Sequence, residues 1–439
     1  MRIFEDRTPN KRTHEVFGIS NKVLLDSYVD RGELDEEIQR LLMRHTHIAL
    51  RGASKCGKSW LRQKVLPNAI VVQCRLGETV DDIYREALGE LGIRLEVNST
   101  SHTNFVGKAE ASGEVGIKLL AKVTGKAGIE RGRGKQSTTK PVSADVESLR
   151  FVAEILRESG RRLVIEDFHY LPIKEKARFS GDIKALWDLG VFLIVVGVWN
   201  QQNMLIYLNP DLSGRVHETS IVWGEEDLDK IFQFGGRALN VEFTHALRDH
   251  AIEICHGNAG ILQALILGTL DRVGVDRAQE HHRVISDIGD LEQAAQSYAD
   301  QLHPLYQEFA RRVANGIRAR KNSTSIYAHA MAVILSASDQ ELIQGLNLNH
   351  IYLDAHARES RITKQNLQRA LERIESLQVD ASDGTRLVLA YNVATKDVTV
   401  VDRQLLLYRQ YSTIGWPWED LISEAKETGE QFDEGGEQS

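Results

Sequence analysis

Short, almost unbroken apolar runs alternate along this chain with stretches in which apolar residues recur every three to four positions. The run His47-Ile48-Ala49-Leu50 predicts a buried strand, and residues 34–43 before it have helical spacing. Ala69-Ile70-Val71-Val72-Gln73-Cys74 predicts a second strand, followed by an amphipathic helix over 80–91. Beyond a helix capped by Ser143 and ending near Glu158, two further strands are predicted, Arg162-Leu163-Val164-Ile165-Glu166-Asp167 and Val191-Phe192-Leu193-Ile194-Val195-Val196, with a helix near 183–189 between them. Near-continuous apolarity in these last two strands means that both faces of their sheet are covered. Strand and helix in alternation is the rhythm of a parallel α/β sheet.

The rhythm breaks over 98–141, a glycine-punctuated stretch in which 114–118 and 121–123 alternate and predict an inserted, exposed β-ribbon. From Trp223 the pattern is all-helical, with Leu228, Ile231 and Phe232 on one face. After Leu302 come helices near 305–318, 325–335 and 362–377, two alternating strands at 386–391 and 397–401, and a helix at 404–411. Helices followed by a two-stranded ribbon read as a winged helix. The predicted organisation is an arm (1–40), an α/β core (41–222) carrying the insertion, a helical lid (223–300), a winged-helix domain (301–412) and a tail (413–439).

Chemistry enters directly after the first strand. Gly52-Ala53-Ser54-Lys55-Cys56-Gly57-Lys58-Ser59 fills the phosphate-loop pattern G-x-x-x-x-G-K-[ST], and Trp60 continues into a helix. The glycines let the backbone curl so that its N–H groups face phosphate oxygens, and the helix N-terminus adds positive potential. Lys58 is placed to bridge the outer phosphates of a nucleoside triphosphate and Ser59 to hold Mg²⁺. Hydrolysis also needs a metal-anchoring carboxylate and one that orients water. Glu166 and Asp167, at the end of an apolar strand, suit these roles, with Glu166 on the metal. Their order, the longer acid first, predicts either swapped metal and water roles or slow turnover. No guanine-reading motif and no firm adenine contact is found, which leaves ATP and GTP both open.

Phosphate loop, acidic strand end and then Val195-Val196-Gly197-Val198-Trp199-Asn200 resemble the AAA+ ATPases, most of all the subgroup of origin-recognition, transposition-regulator and STAND signalling ATPases. The resemblance implies a P-loop NTPase parallel sheet with a helical lid and a winged helix, acting on ATP with Mg²⁺. On it, Asn200 matches the polar sensor that positions water. Arg215, in Asp211-Leu212-Ser213-Gly214-Arg215-Val216, matches an Arg that reaches a neighbouring subunit's nucleotide, which implies a homo-oligomer. Phe17, in Val16-Phe17-Gly18, matches a segment that packs on adenine. His256-Gly257-Asn258-Ala259-Gly260 resembles the turn opening the third lid helix, although Gly260 and Ile261 stand where some members carry a second-sensor Arg. A switch ATPase controlling a separately encoded effector is implied, in a setting such as bacterial antiphage defence; the alternative is an initiator-like or transposition-regulator-like ATPase that grips DNA with the winged helix and the basic insertion.

Composition modifies this picture in three ways. At 439 residues and 42% apolar content the chain buries a large core divided over two or three domains. No apolar run nears the roughly 20 residues of a membrane helix, and the polar start is no signal peptide, so a cytoplasmic protein without membrane contact is expected. Cys56, Cys74 and Cys255 are too scattered for a metal cluster or disulfide framework. The net charge of −8 is uneven: Glu419 to Ser439 holds eight acids against Lys426, whereas Lys108 to Lys140 holds eight bases against three acids. In the winged-helix stretch, Arg361, Lys364, Arg369 and Arg373 are interleaved with Glu372 and Glu375, a mixed face for reading DNA.

Overall fold

The computed structural model describes residues 11–97, 107–124, 137–141, 149–199, 202–316, 324–378, 387–419 and 422–423. They form two compact units. Arg31–Gly52 and Gly57–Ile221 make the first, while residues 11–30 and Ala53–Cys56 belong with the chain from Val222 onward in the second.

The first unit is built on strands β1 (His47–Arg51), β2 (Ile70–Gln73), β6 (Leu163–Glu166), β7 (Leu193–Gly197) and β8 (Val216–Ser220), with β3 (Ile93–Val97) leading into the insertion and β4 (Gly107–Ser112) and β5 (Ser137–Pro141) within it. The five form one parallel sheet in the order β2-β6-β7-β1-β8. Every residue of β7 is buried, as its apolar run requires, whereas in edge strand β8 only Thr219 is buried, so no apolar run announces it. The helices are α1 (Leu34–Leu42), α2 (Lys58–Val65), α3 (Val80–Glu90), α4 (Gly113–Thr124), α5 (Leu149–Ser159), α6 (Ile173–Asp188) and α7 (Met204–Leu208). Helix α3 starts where Thr79 accepts from Asp82 N–H and Asp82 answers in a capping box. Under the sheet, Phe179 packs against Tyr84 and Phe168 at centroid separations of 6.2 and 5.7 Å. The expected cap Ser143 lies outside the described residues.

The insertion corrects the ribbon reading. Strands β3, β4 and β5 do form an antiparallel sheet, but residues 114–123 are helical. Leu119 and Leu120 are buried, Ile117 and Val123 pack on the same core, and Gly116 lies so close to the backbone that a Cβ there would sit 2.8 Å from Gly92 O. Positions 116, 119, 120 and 123 are the i, i+3, i+4, i+7 face of a helix, a longer-range signal than the local alternation.

In the second unit, α8 (Glu225–Leu239), α9 (His245–Ile254) and α10 (Ala259–Arg272) accompany a parallel pair, β9 (Val241–Phe243) and β10 (Arg283–Ile285). Helix α11 (Ile288–Asn315) runs unbroken through position 300. It leads to α12 (Ile326–Ile334), α13 (Asp339–Gln344), β11 (Leu346–Asn347), α14 (Leu348–Arg358), α15 (Lys364–Leu371), α16 (Ile374–Gln378), β12 (Leu389–Asn392), β13 (Asp397–Val400) and α17 (Gln404–Tyr411). The three strands form an antiparallel sheet, β11-β13-β12. The sequence predicts one helix over 362–377, and the structure has two, α15 and α16. Trp416 stacks on Trp418 at 4.7 Å and meets Tyr408 edge-on at 5.5 Å, so this aromatic pair is packed on the fold.

Candidate nucleotide site

In the first unit the carboxyl ends of β1, β7 and β6 lie side by side, with β7 between the strand that feeds the phosphate loop and the strand that ends in acids. The acidic strand is thus one place further from β1 than direct adjacency would put it. Gly57, at φ 88° and ψ 18°, makes the left-handed turn into α2, which begins at Lys58. Lys58 Nζ donates to Gly52 O at 3.0 Å, which keeps the ammonium over the loop.

Two oxygen donors converge beside it. Ser59 Oγ lies 3.4 Å from Glu166 Oε2, and the other oxygen of Glu166 accepts from Arg62 Nε at 3.0 Å. The pair is largely buried, with 11% of the Arg62 and 13% of the Glu166 side chain exposed. A hydroxyl and one carboxylate are the hard, oxygen-only protein donors that Mg²⁺ takes alongside water and phosphate. They fit the metal, and among the described residues no cluster of three or more His, Cys, Asp or Glu competes for it.

Adjacent strand residues face opposite sides. Asp167 leaves the strand in a left-handed conformation, φ 56°, at the start of a short 3₁₀ turn, so the alternation of the strand does not fix its direction. Its Oδ2 accepts from Gln73 Nε2 at 2.9 Å, at the end of β2.

In the second unit, the loop apex is held by its carbonyls. Ser54 O accepts from Asn258 Nδ2 at 2.7 Å, Lys55 O from Gly260 N–H at 3.1 Å and Cys56 O from Trp223 Nε1 at 2.9 Å. Across a trans peptide, C=O and N–H point in opposite directions. The amides of Lys55, Cys56 and Gly57 therefore turn away from these donors, although Cys56 N–H also makes a long 3.4 Å bond to Ala53 O. Asn258 does double duty, since its Oδ1 accepts from Gly260 and Ile261 N–H and so caps α10.

The remaining expected residues are dispersed. Arg215 lies over the Trp187 ring, 4.9 Å from its centroid, and donates to Asp211 O within its own chain. Asn200 lies outside the described residues. Its flank is tied to Glu218, which accepts from Trp199 Nε1 at 3.1 Å and Asn203 N–H at 2.8 Å and pairs with Arg51. Phe17 is fully buried in the second unit, its ring against Gly235 and edge-on to Phe243 at 6.2 Å. Trp60 is half-buried on α2. Cys56, Cys74 and Cys255 are all free and buried. Sequence reasoning missed Arg62, Gln73 and Trp223. Arg62, one helical turn after Lys58, carried the only positional signal among them.

No protein-family model and no curated protein matches the chain. Among solved structures it is similar to the Orc1 protein of Aeropyrum pernix in complex with DNA (TM-score 0.37, 11% identity, 91% of this chain and 93% of that one). It is also similar to Cdc6p of Pyrobaculum aerophilum (TM-score 0.35, 11% identity, 91% and 94%). A third likeness is to a STAND protein with a tetratricopeptide repeat sensor from Pyrococcus horikoshii (TM-score 0.36, 11% identity, 94% of this chain), of which the chain spans 45%. The first unit has an α/β P-loop fold, by its strand order and its loop between β1 and α2. Among the described residues, no helix is long and apolar enough to cross a membrane.

Proposed function

We propose that this chain is a switch ATPase of the AAA+ type, which takes up ATP with Mg²⁺ at the phosphate loop, hydrolyses it slowly and uses the nucleotide state to control a separately encoded partner. The observation that carries this reading is the convergence of Ser59 and Glu166 beside Lys58. Ser59 and Glu166 are the metal's holders, and the bound ion supplies positive charge against the phosphates. Lys58 neutralises the outer phosphates, and the apex amides cradle them. Asp167, steadied by Gln73, orients the attacking water together with Asn200. Arg215 serves a neighbouring copy's nucleotide once it leaves the Trp187 ring, which makes hydrolysis depend on assembly. Antiphage defence is the setting that the family resemblance favours. Isothermal calorimetry tests the core of the reading: the full chain takes up ATP only with Mg²⁺, and Lys58→Ala abolishes that uptake. Uptake that survives the substitution refutes it.

A second reading has its own support. The helices α12, α14 and α15 with the β12–β13 ribbon have the element order of a winged helix. On its surface Lys364, Arg369 and Arg373 are exposed, whereas Arg361 is bound to Glu359 by both Nε and Nη2. In this reading the chain grips duplex DNA. Affinity for DNA that falls steeply with salt, with an ATPase rate that responds to DNA, selects it over the partner-protein reading.

A further inference from the structure

The segment Asp402-Arg403-Gln404, which leads from the β12–β13 ribbon into α17, lies outside every motif in the sequence. Gln404 is fully buried, and the two ends of its side chain make bonds of opposite sense. Its Oε1 accepts from Lys55 Nζ at 2.6 Å and from Tyr298 OH at 2.7 Å. Its Nε2 donates to Asp402 Oδ1 and Oδ2 at 3.0 and 3.2 Å. Asp402, only 1% exposed, also accepts from Tyr306 OH at 3.0 Å. An ammonium only donates and a carboxylate only accepts, so the group between them must do both. A carboxamide does so without adding a charge, and its orientation is fixed by the two neighbours. A hydrocarbon there takes an acceptor from Lys55 and a donor from the buried Asp402, which keeps only the Tyr306 hydroxyl and the Gln404 backbone N–H among the bonds described, and that loss is costly.

Two further observations place this cluster at the phosphate loop. Lys55 has φ 61°, a left-handed conformation that a residue with a Cβ adopts only at a cost, so the apex needs support from outside itself. Next to Gln404, Arg403 Nη1 donates to His256 O at 2.5 Å. His256 opens the turn whose Asn258 and Gly260 hold the carbonyls of Ser54 and Lys55. Two successive residues of one segment therefore grip the loop apex, one through its side chain and one through the turn beneath its backbone.

We propose that Gln404 is a positioning residue of the nucleotide site: by holding the Lys55 ammonium it sets the shape of the phosphate-loop apex and slows the departure of bound nucleotide. This rests on the reading of the loop as a triphosphate site and adds to it a residue nearly 350 positions further along the chain. It also makes α17, which begins at Gln404, the element whose displacement frees loop and nucleotide together.

The test is the release rate of N-methylanthraniloyl-ADP from the full chain, followed by stopped-flow fluorescence, with melting curves to establish folding. Gln404→Met keeps the length and removes the acceptor, and release accelerates by about tenfold, the loss of one charge-assisted hydrogen bond. Tyr298→Phe, which removes one hydroxyl, accelerates it by about threefold. Gln404→Glu restores an acceptor for Lys55 while facing Asp402 with a like charge. It keeps release slow if positioning of Lys55 is the role, and is worse than Met if the role is only structural. Folded Gln404→Met releasing at the wild-type rate, or Glu behaving as Met does, overturns the proposal. Should neither Gln404 variant fold, Tyr298→Phe decides alone, wild-type release refuting it. A wild type that retains no nucleotide defeats the underlying reading of the loop, an outcome distinct from retention with unchanged release.

Discussion

At the residue scale the site depends on neighbours that hold its charged groups in place. Gln73, at the end of β2, donates to Asp167, and Asp167 departs from the strand in a conformation that carries strain. Gln73→Ala is expected to leave Mg²⁺-ATP affinity within about twofold and to lower single-turnover hydrolysis by about tenfold or more, the scale of a misplaced proton acceptor. Equal hydrolysis in both proteins would remove Asp167 from the water-orienting role. A second prediction concerns His47, buried on β1 with its Nδ1 accepting from Leu193 N–H at 3.1 Å. Burial, reinforced by the Arg162 guanidinium, pushes its pKa down to about 4 from 6.5. The unfolded chain therefore takes up this proton first as pH falls. The contribution of neutral His47 is complete above pH 6.5 and is lost between there and pH 4, by up to about 3 kcal/mol. Urea midpoints at pH 7 and pH 5 should show the fall in the wild type and a shallower one in His47→Gln. Parallel slopes would count against it.

At the element scale two glycines mark where secondary structures press together. A Cβ on Gly235 in α8 would sit 2.1 Å from Phe17 Cζ, inside a closed core where the ring has no free direction. Gly235→Ala is expected to destabilise the second unit by about 1–3 kcal/mol, read as a lowered melting temperature. A Cβ on Gly260 would meet Lys55 Cβ and Lys55 O at 2.6 Å each, at the N-terminus of α10. Gly260→Ala should weaken nucleotide binding more than it lowers the melting temperature; the reverse ranking would reduce the α10 contact to ordinary packing. Much at this scale was legible in the chain. The apolar runs gave β1, β6 and β7 because strands covered on both faces must be apolar throughout. Strand β8 escaped because an edge strand needs no such run, and α4 because a three-to-five-residue alternation imitates a strand while its buried face only emerges over two turns. Helix α14 escaped as well, since Leu348, Ile351 and Ala355 are its only buried positions.

At the scale of the whole molecule the open matter is assembly. Arg215 stacks on Trp187 and donates to Asp211 O inside its own chain, so the proposed service to a neighbour requires that this stack be exchanged for a phosphate. Hydrolysis per subunit is therefore expected to rise with protein concentration, and Arg215→Ala to flatten that rise while leaving binding to the monomer intact. A rate that is independent of concentration in both proteins would confine Arg215 to its intrachain stack. By itself the sequence determined the phosphate loop and the order of the motifs, because a backbone cradle is written in consecutive residues whose spacing is its geometry. It also determined the acids at the end of the third parallel strand of the sheet. Only the tertiary structure decided which acid meets Ser59, and that Arg62 meets Glu166, Gln73 meets Asp167, Trp223 meets Cys56 and Gln404 meets Lys55. Those contacts join residues up to 349 positions apart, and a hydrogen bond between distant segments leaves no period or spacing along the chain.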